Sequence, residues 1–401
     1  MEIPLFELNL QADLDNDRPE TMGAVCAVVY LLTIIVFIPW AFYTELVAAT
    51  PGSSAYDALT EVPRVDGGRI IQRFPHNKLA SYLSAILSLQ SVAILGISDD
   101  LFDIRWRHKV LIPAFAAIPM LIVYYVDFGV THIMIPVPFR PYFGELVDLG
   151  FFYYLYMAVF AIFTPNSINI LAGINGIEVS QSIVIAVLVM INDVLYLSPF
   201  TKSPHPAQES HLFSLYLLVP FVGVSLALWW HNWYPSKVFV GDTYCYFAGM
   251  VFVVIGILSH FSKTLILLLL PQFFNFAYSC PQIFGVVPCP RHRLPKFNAR
   301  TGLLEPSKAK FEQPLAKPIQ EVMKLLHKMK LLGITIDEKG QVTESTNFTI
   351  INLWLVWWGP MREDRLAASL LAFQAACGII GLIVRHNLAP LLYTVDNLFA
   401  A

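Results

Sequence analysis

Apolar runs recur along the whole chain, at 25–40, 79–97, 110–126, 149–164, 177–196, 212–230, 244–258, 264–284 and 366–384, and most are separated by short polar stretches. A helix needs about 20 mainly apolar residues to cross a hydrocarbon core of about 30 Å, within a range of about 17–25. The pattern predicts an all-α polytopic membrane protein with about nine transmembrane helices. The runs at 25–40 and 244–258 are the weakest on length. An odd number of spans puts the two termini on opposite sides of the bilayer.

One stretch breaks this rhythm. Residues 285–365 are too long and too charged for a turn between spans, and predict a small α+β cytoplasmic subdomain inserted before the last helix. Within it, 319–330 repeats apolar residues at helical spacing with lysines on the other face. The apolar run 349–358 is too short to span, which leaves a buried strand or an interfacial helix; Trp354, Trp357 and Trp358 favour the interface. The chain divides accordingly into a transmembrane bundle with catalytic loops (1–284), a recognition subdomain (285–365), and a last span with a lumenal tail (366–401).

Composition supports the membrane reading. The 401 residues are 56% hydrophobic and 14% charged, and the charged share is about half that of a soluble domain. A net charge of −3 points to neither nucleic acid nor an acidic partner. Cys26, Cys245, Cys280, Cys289 and Cys377 lie in or beside apolar runs without the spacing of a zinc site or a disulfide framework, so they read as reduced packing residues. The acidic stretch ending at Asp17 lacks the layout of a cleavable signal peptide, which leaves targeting to the first span.

Positive charge near span ends sets orientation, and the stretch after Phe284 holds about half of all Lys and Arg, which places it in the cytoplasm. Threading back puts the loops 99–109, 166–175 and 231–242 on the same side. Arg64, Arg69, Arg73 and Lys78 on the opposite loop pull the other way without reversing the balance. A cytoplasmic site would leave the sequon at Asn347 unmodified.

Four polar constellations fall on these converging loops. Asp99 and Asp100 end an apolar run; in a helix Asp99 and Asp103 share a face while Asp100 points about 100° away, so the adjacent carboxylates have different roles. Lys109 is close enough in sequence to pair with one of them. The plain alternative is an interfacial ion-pair cluster. Asn166 and Asn169 precede Gly173 and Gly176, offering amide oxygens for a hard cation and backbone N–H groups for an anion, or simply a glycine-softened helix junction. Asp242, after Phe239, Val240 and Gly241, reads as a metal-facing carboxylate or an ordinary helix cap. In Pro288 to Pro295, prolines stiffen the cations Arg291, His292 and Arg293, which suits phosphate oxygens or anionic lipid. Together these groups suit Mg²⁺-assisted phosphoryl transfer at a membrane surface.

In these same motifs, Asp99-Asp100 through Arg105 to Lys109, Asn169 to Gly176, Phe239 to Thr243 and Pro290 to Arg293, the chain resembles the polyprenyl-phosphate N-acetylhexosamine-1-phosphate transferases. It is most similar to their eukaryotic branch, especially the fungal form. The likeness runs from about Pro19 to the end, with the four motifs in order. It implies transfer of N-acetylglucosamine 1-phosphate from UDP-N-acetylglucosamine to dolichyl phosphate at the endoplasmic reticulum membrane, with Mg²⁺ as cofactor and a homodimer as assembly. It further implies Asp99, Asp100 and Lys109 as catalytic, Asn169 and Asp242 at the metal, and Glu20, Gly173, Asn175, Phe239, Arg291, His292 and Arg293 at the substrates. Family members carry a further span and a lysine-bearing stretch ahead of the Pro19-Glu20-Thr21 turn, where this chain has Asp13 to Arg18. That departure leaves an inactive or truncated scaffold form as the alternative. A polytopic transporter is the remaining rival, and it would place its polar groups near mid-bilayer and in inverted halves.

Overall fold

The computed structural model describes residues 21–43, 46, 76–102, 104–197, 207–290, 293–338 and 340–393. Over these residues the chain is a polytopic helical membrane protein. Its first half comprises α1 (Met22–Ala41), α2 (His76–Phe102), α3 (Trp106–Lys109), α4 (Ile112–Ala116), α5 (Ile118–Asp127), β1 (His132–Met134), α6 (Arg140–Phe143), β2 (Leu146–Asp148), α7 (Phe151–Ile170) and α8 (Ile177–Leu197). There follow α9 (Gln208–Asn232), α10 (Gly241–Leu258), α11 (Ser262–Leu268) and α12 (Leu270–Ile283).

Seven helices are long and apolar enough to cross a membrane: α1, α2, α7, α8, α9, α10 and the helix that fills Glu363–Leu388. Two of the nine expected runs are not single helices. The run at 264–284 is the pair α11 and α12, bent by 68°, and the run at 110–126 is divided between α4 and α5. Each break falls just ahead of a proline, Pro271 or Pro119, within the first turn of the following helix. A proline there has no N–H to give and its ring crowds the preceding turn. Periodicity reports the apolar run and is blind to this interruption.

The centre of the bundle is α10, which is buried along almost its whole length. Two glycines let its neighbours close on it: a methyl group on Gly96 of α2 would stand 2.6 Å from Thr243 Cα, and one on Gly249 would stand 2.3 Å from Pro165 Cα of α7. Small residues at helix contacts substitute in lipid for the hydrophobic drive available in water. A glutamine chain adds directionality. Gln272 Nε2 donates to Gln181 Oε1 (3.0 Å) and Gln374 Oε1 (2.9 Å), while Gln181 Nε2 donates to the Leu171 carbonyl (2.8 Å). The bent pair is thereby fastened to α8 and to the last long helix.

After α12 come β3 (Lys296–Asn298), β4 (Leu303–Glu305), β5 (Lys308–Lys310), α13 (Lys317–Lys328), β6 (Ile334–Ile336), β7 (Val342–Thr346), α14 (Ile350–Trp358) and α15 (Glu363–Ile383). Strands β3 and β4 form an antiparallel hairpin, and β5, β7 and β6 form a three-stranded antiparallel sheet in that order. The short run at 349–358 is a helix, begun by Thr349, whose hydroxyl accepts from the Asn352 N–H (3.3 Å). Asn347 is buried; its amide donates to Ser307 Oγ (2.8 Å) and accepts from Gln282 Nε2 (2.8 Å), so it is an internal crosspiece between α12 and the strands.

Candidate active site

The carboxylates at the end of α2 do take different partners. Lys109 Nζ lies 2.8 Å from Asp99 Oδ2 and 2.8 Å from Asp242 Oδ2, bridging α2 to the start of α10. Asp99 is fixed further by the Ile104 N–H on its other oxygen (3.1 Å). Asp100 turns to the first turn of α10, where Oδ1 accepts from the Asp242 N–H (2.7 Å) and Oδ2 accepts from the Thr243 N–H (3.2 Å) and hydroxyl (2.5 Å). A helix start leaves backbone donors without partners, and Asp100 satisfies two of them from another helix. The side chain of Asp242 is therefore not the cap. It is released to face Lys109 and the Asn169 amide beside it.

Lys109 carries most of the local electrostatics. Burial works against its charged form, but Asp242 and Asp99 outweigh it and hold its pKa above the ordinary lysine value. The ammonium stays charged with its side chain 17% exposed, and Asp242 keeps 33%. This is a fixed cation at a mouth rather than inside a sealed core. Asn166 serves the scaffold instead, since its amide donates to the Ile162 (2.7 Å) and Val110 (3.3 Å) carbonyls and ties the start of the broken span to α7.

The glycine loop meets the basic segment directly. Gly173 has φ +112°, a region open to glycine, and a methyl group on it would stand 1.9 Å from Leu294 Cδ2. Its N–H donates to Glu178 Oε1 (2.9 Å), and the Asn175 N–H donates to Glu363 Oε1 (2.7 Å). Trp233 packs on Gly176, which brings in the loop before Phe239. Phe239 presents an exposed ring. Next to Leu294, Arg293 is held through its carbonyl by Asn352 Nδ2 (2.8 Å), while its guanidinium Nη1 is buried with no hydrogen-bond partner among the described residues. Burial draws its pKa down, partly offset by Cys289, yet a guanidinium remains charged. A buried cation with a spare N–H is costly unless something anionic meets it.

Residues 82–260 match the profile of glycosyl transferase family 4. A protein of Saccharomyces cerevisiae is 53% identical over 402 residues, covering 100% of this chain and 88% of its own length. A Schizosaccharomyces pombe protein is 52% identical over 95% of this chain and 84% of its own. One of Dictyostelium discoideum is 39% identical over 92% and 77%. All three carry the name UDP-N-acetylglucosamine–dolichyl-phosphate N-acetylglucosaminephosphotransferase. The chain belongs to this family. The family resemblance read from four short motifs thus extends over the full chain.

Of the residues singled out from sequence, the structure brings Asp99, Lys109, Asn169 and Asp242 into one cluster, with Asp100 behind it, and sets Gly173 against the neighbour of Arg293. Glu20, Asp103, Arg291 and His292 lie outside the described residues. Sequence reading missed Thr243, Glu178, Glu363 and Leu294. Glu178 follows the glycine loop closely enough to have been suspected as its anchor; Glu363 gave no signal, since its partner lies 188 residues away.

Proposed function

We propose that this chain transfers N-acetylglucosamine 1-phosphate from UDP-N-acetylglucosamine to dolichyl phosphate, giving dolichyl diphosphate N-acetylglucosamine and UMP, the first step of the lipid-linked oligosaccharide pathway of protein N-glycosylation. The observation that carries the reading is the placement of Lys109 between Asp99 and Asp242 at the bundle mouth, within a chain 53% identical to the yeast phosphotransferase. In the reaction an oxygen of dolichyl phosphate attacks the β-phosphorus of the donor, and the bond from that phosphorus to the UMP oxygen breaks. A phosphate monoester has a second pKa near 6, so much of the nucleophile is a dianion at neutral pH and needs little base assistance. The barrier lies in bringing it to a charged diphosphate in line.

Lys109 lowers that repulsion, and Asp99 and Asp242 keep it charged and aimed. Arg293 offers its free N–H to the donor, the Gly173 backbone and the Asn175 side-chain amide serve the nucleotide, and Phe239 provides a ring for the base. Among the described residues no three of His, Cys, Asp and Glu form a metal cluster. Mg²⁺ does not require one, because it keeps waters and substrate phosphates as ligands and takes one or two carboxylates from the protein. Asp242 would hold it through its carboxylate, with the Asn169 amide beside it, and the ion would supply further neutralisation of phosphate charge. The same reading places the site on the cytoplasmic face of the endoplasmic reticulum, by the lysine and arginine content of 285–365, and the protein as a homodimer.

The test is release of UMP by the purified protein, with UDP-N-acetylglucosamine, dolichyl phosphate and Mg²⁺ each supplied or withheld. UMP should appear only when all three are present. A preparation that consumes no nucleotide sugar under these conditions overturns the proposal.

A further inference from the structure

Helix α13 has two apolar faces. Ile319, Met323 and Leu326 pack with Leu332, Val342 and Phe348 into a small core. Val322, Leu325 and Met329 lie outside it, exposed by 56%, 56% and 59%. Their spacing of three and four residues lines them up as one stripe. Around the stripe stand Lys317, Lys324, Lys328 and Lys330, with Glu321 as the one acid between them, paired to Lys324 (2.9 Å).

The depth of this stripe follows from what holds the end of the helix. The Tyr278 hydroxyl of α12 donates to the Leu331 carbonyl, and Trp357 Nε1 of α14 donates to the Lys330 carbonyl (2.7 Å). Tyr278 lies five residues before the end of α12, on the order of 7 Å into that helix at the α-helical rise. Trp354 of α14 packs on Phe373, ten residues inside α15 (ring centroids 5.4 Å apart). Leu331 therefore sits level with the last turns of a membrane helix, and exposed Trp357 and Trp358 share that level.

We infer that α13 lies in the bilayer interface as an amphipathic helix, its Val322–Leu325–Met329 stripe at the acyl boundary and its lysines on anionic phospholipid headgroups of the leaflet nearest Lys109. Apolar exposure, flanking lysines and neighbouring tryptophans are the composition of such a helix. Charge complementarity selects anionic lipid. The depth of Leu331 favours lipid over an acidic protein helix, which would need no such level. The contact bears on the site because Asn352, at the start of α14, grips the Arg293 carbonyl.

The experiment places the photoreactive residue benzoylphenylalanine at Leu325, and separately at Val322, in the full chain. The protein is irradiated in nanodiscs of phosphatidylcholine with or without phosphatidylserine, and in native membranes. Phospholipid adducts are expected throughout, several-fold more abundant with phosphatidylserine, and that increase should disappear in the Lys328→Gln, Lys330→Gln double variant. Adducts to protein alone, no adduct, or lipid adducts that neither phosphatidylserine nor the lysine changes alter would each overturn the inference.

Discussion

Two clusters of ionisable side chains occupy opposite ends of the helix bundle, and they are put to different use. At one end Lys109 bridges Asp99 and Asp242. At the other, His211 Nδ1 lies 2.7 Å from Asp193 Oδ1, with the imidazole between the rings of Tyr196 (4.0 Å) and Phe261 (5.4 Å). Nearby, Arg385 donates to the Tyr196 hydroxyl (2.9 Å) and to Thr264 Oγ1 (3.2 Å). Here the Asp193 side chain is fully closed off and that of His211 is 5% exposed, against 33% for Asp242. The sealed cluster joins α8, α9, α11 and the end of the last long helix. Polar pairs taken out of water fix register and are costly to break, whatever they add to stability. The accessible cluster retains a cation that a phosphate can reach. Residue type alone does not separate a clasp from a site; ring cover and exposure do.

That contrast can be broken at either end. The largest effect on turnover belongs to Asp242→Ala and Lys109→Gln, each expected to lower kcat by about 100-fold or more, on the scale of a lost electrostatic contact to a reacting group. Thermal unfolding in detergent should change little for Asp242→Ala, because Asp100 holds the backbone of α10 and not the Asp242 side chain. Near-normal turnover at ordinary Mg²⁺ would make Asp242 a structural residue. Next comes Arg293→Lys, which loses the planar fork but keeps the charge. Donor turnover should fall more than about tenfold, or ~1.4 kcal/mol, and wild-type donor kinetics would show that the buried Nη1 meets no substrate.

Asp100→Ala should act on the fold first. With three acceptor contacts gone from the start of α10, stability should drop by about 1–3 kcal/mol. Turnover should fall less than in Asp242→Ala, and Asp100→Asn should recover part of the lost stability. A turnover loss that exceeds that of Asp242→Ala would move Asp100 into the chemistry. His211→Leu is expected to leave turnover per folded molecule unchanged. It should nevertheless cost about 1–3 kcal/mol in stability, since Asp193 Oδ1 is left buried without its hydrogen-bond partner. An altered donor KM in the folded fraction would mean that the two ends communicate.

Sequence by itself determined the elements that depend on local burial. Length and apolarity of the runs named seven long membrane helices, and helical spacing alone split Asp99 from Asp100, because neighbouring side chains on a helix diverge by about 100° whatever surrounds them. The four motifs disclosed the family for the same reason, being local in the chain. Only the tertiary structure decided what each group meets. Asp100 caps a helix 142 residues further on, Glu363 holds the Asn175 backbone from 188 residues away, and Gly173 is required by the approach of Leu294 from another loop. The breaks at Pro119 and Pro271 belong there too, because whether a proline ends or merely kinks a membrane helix depends on what the neighbouring helices offer its freed carbonyls.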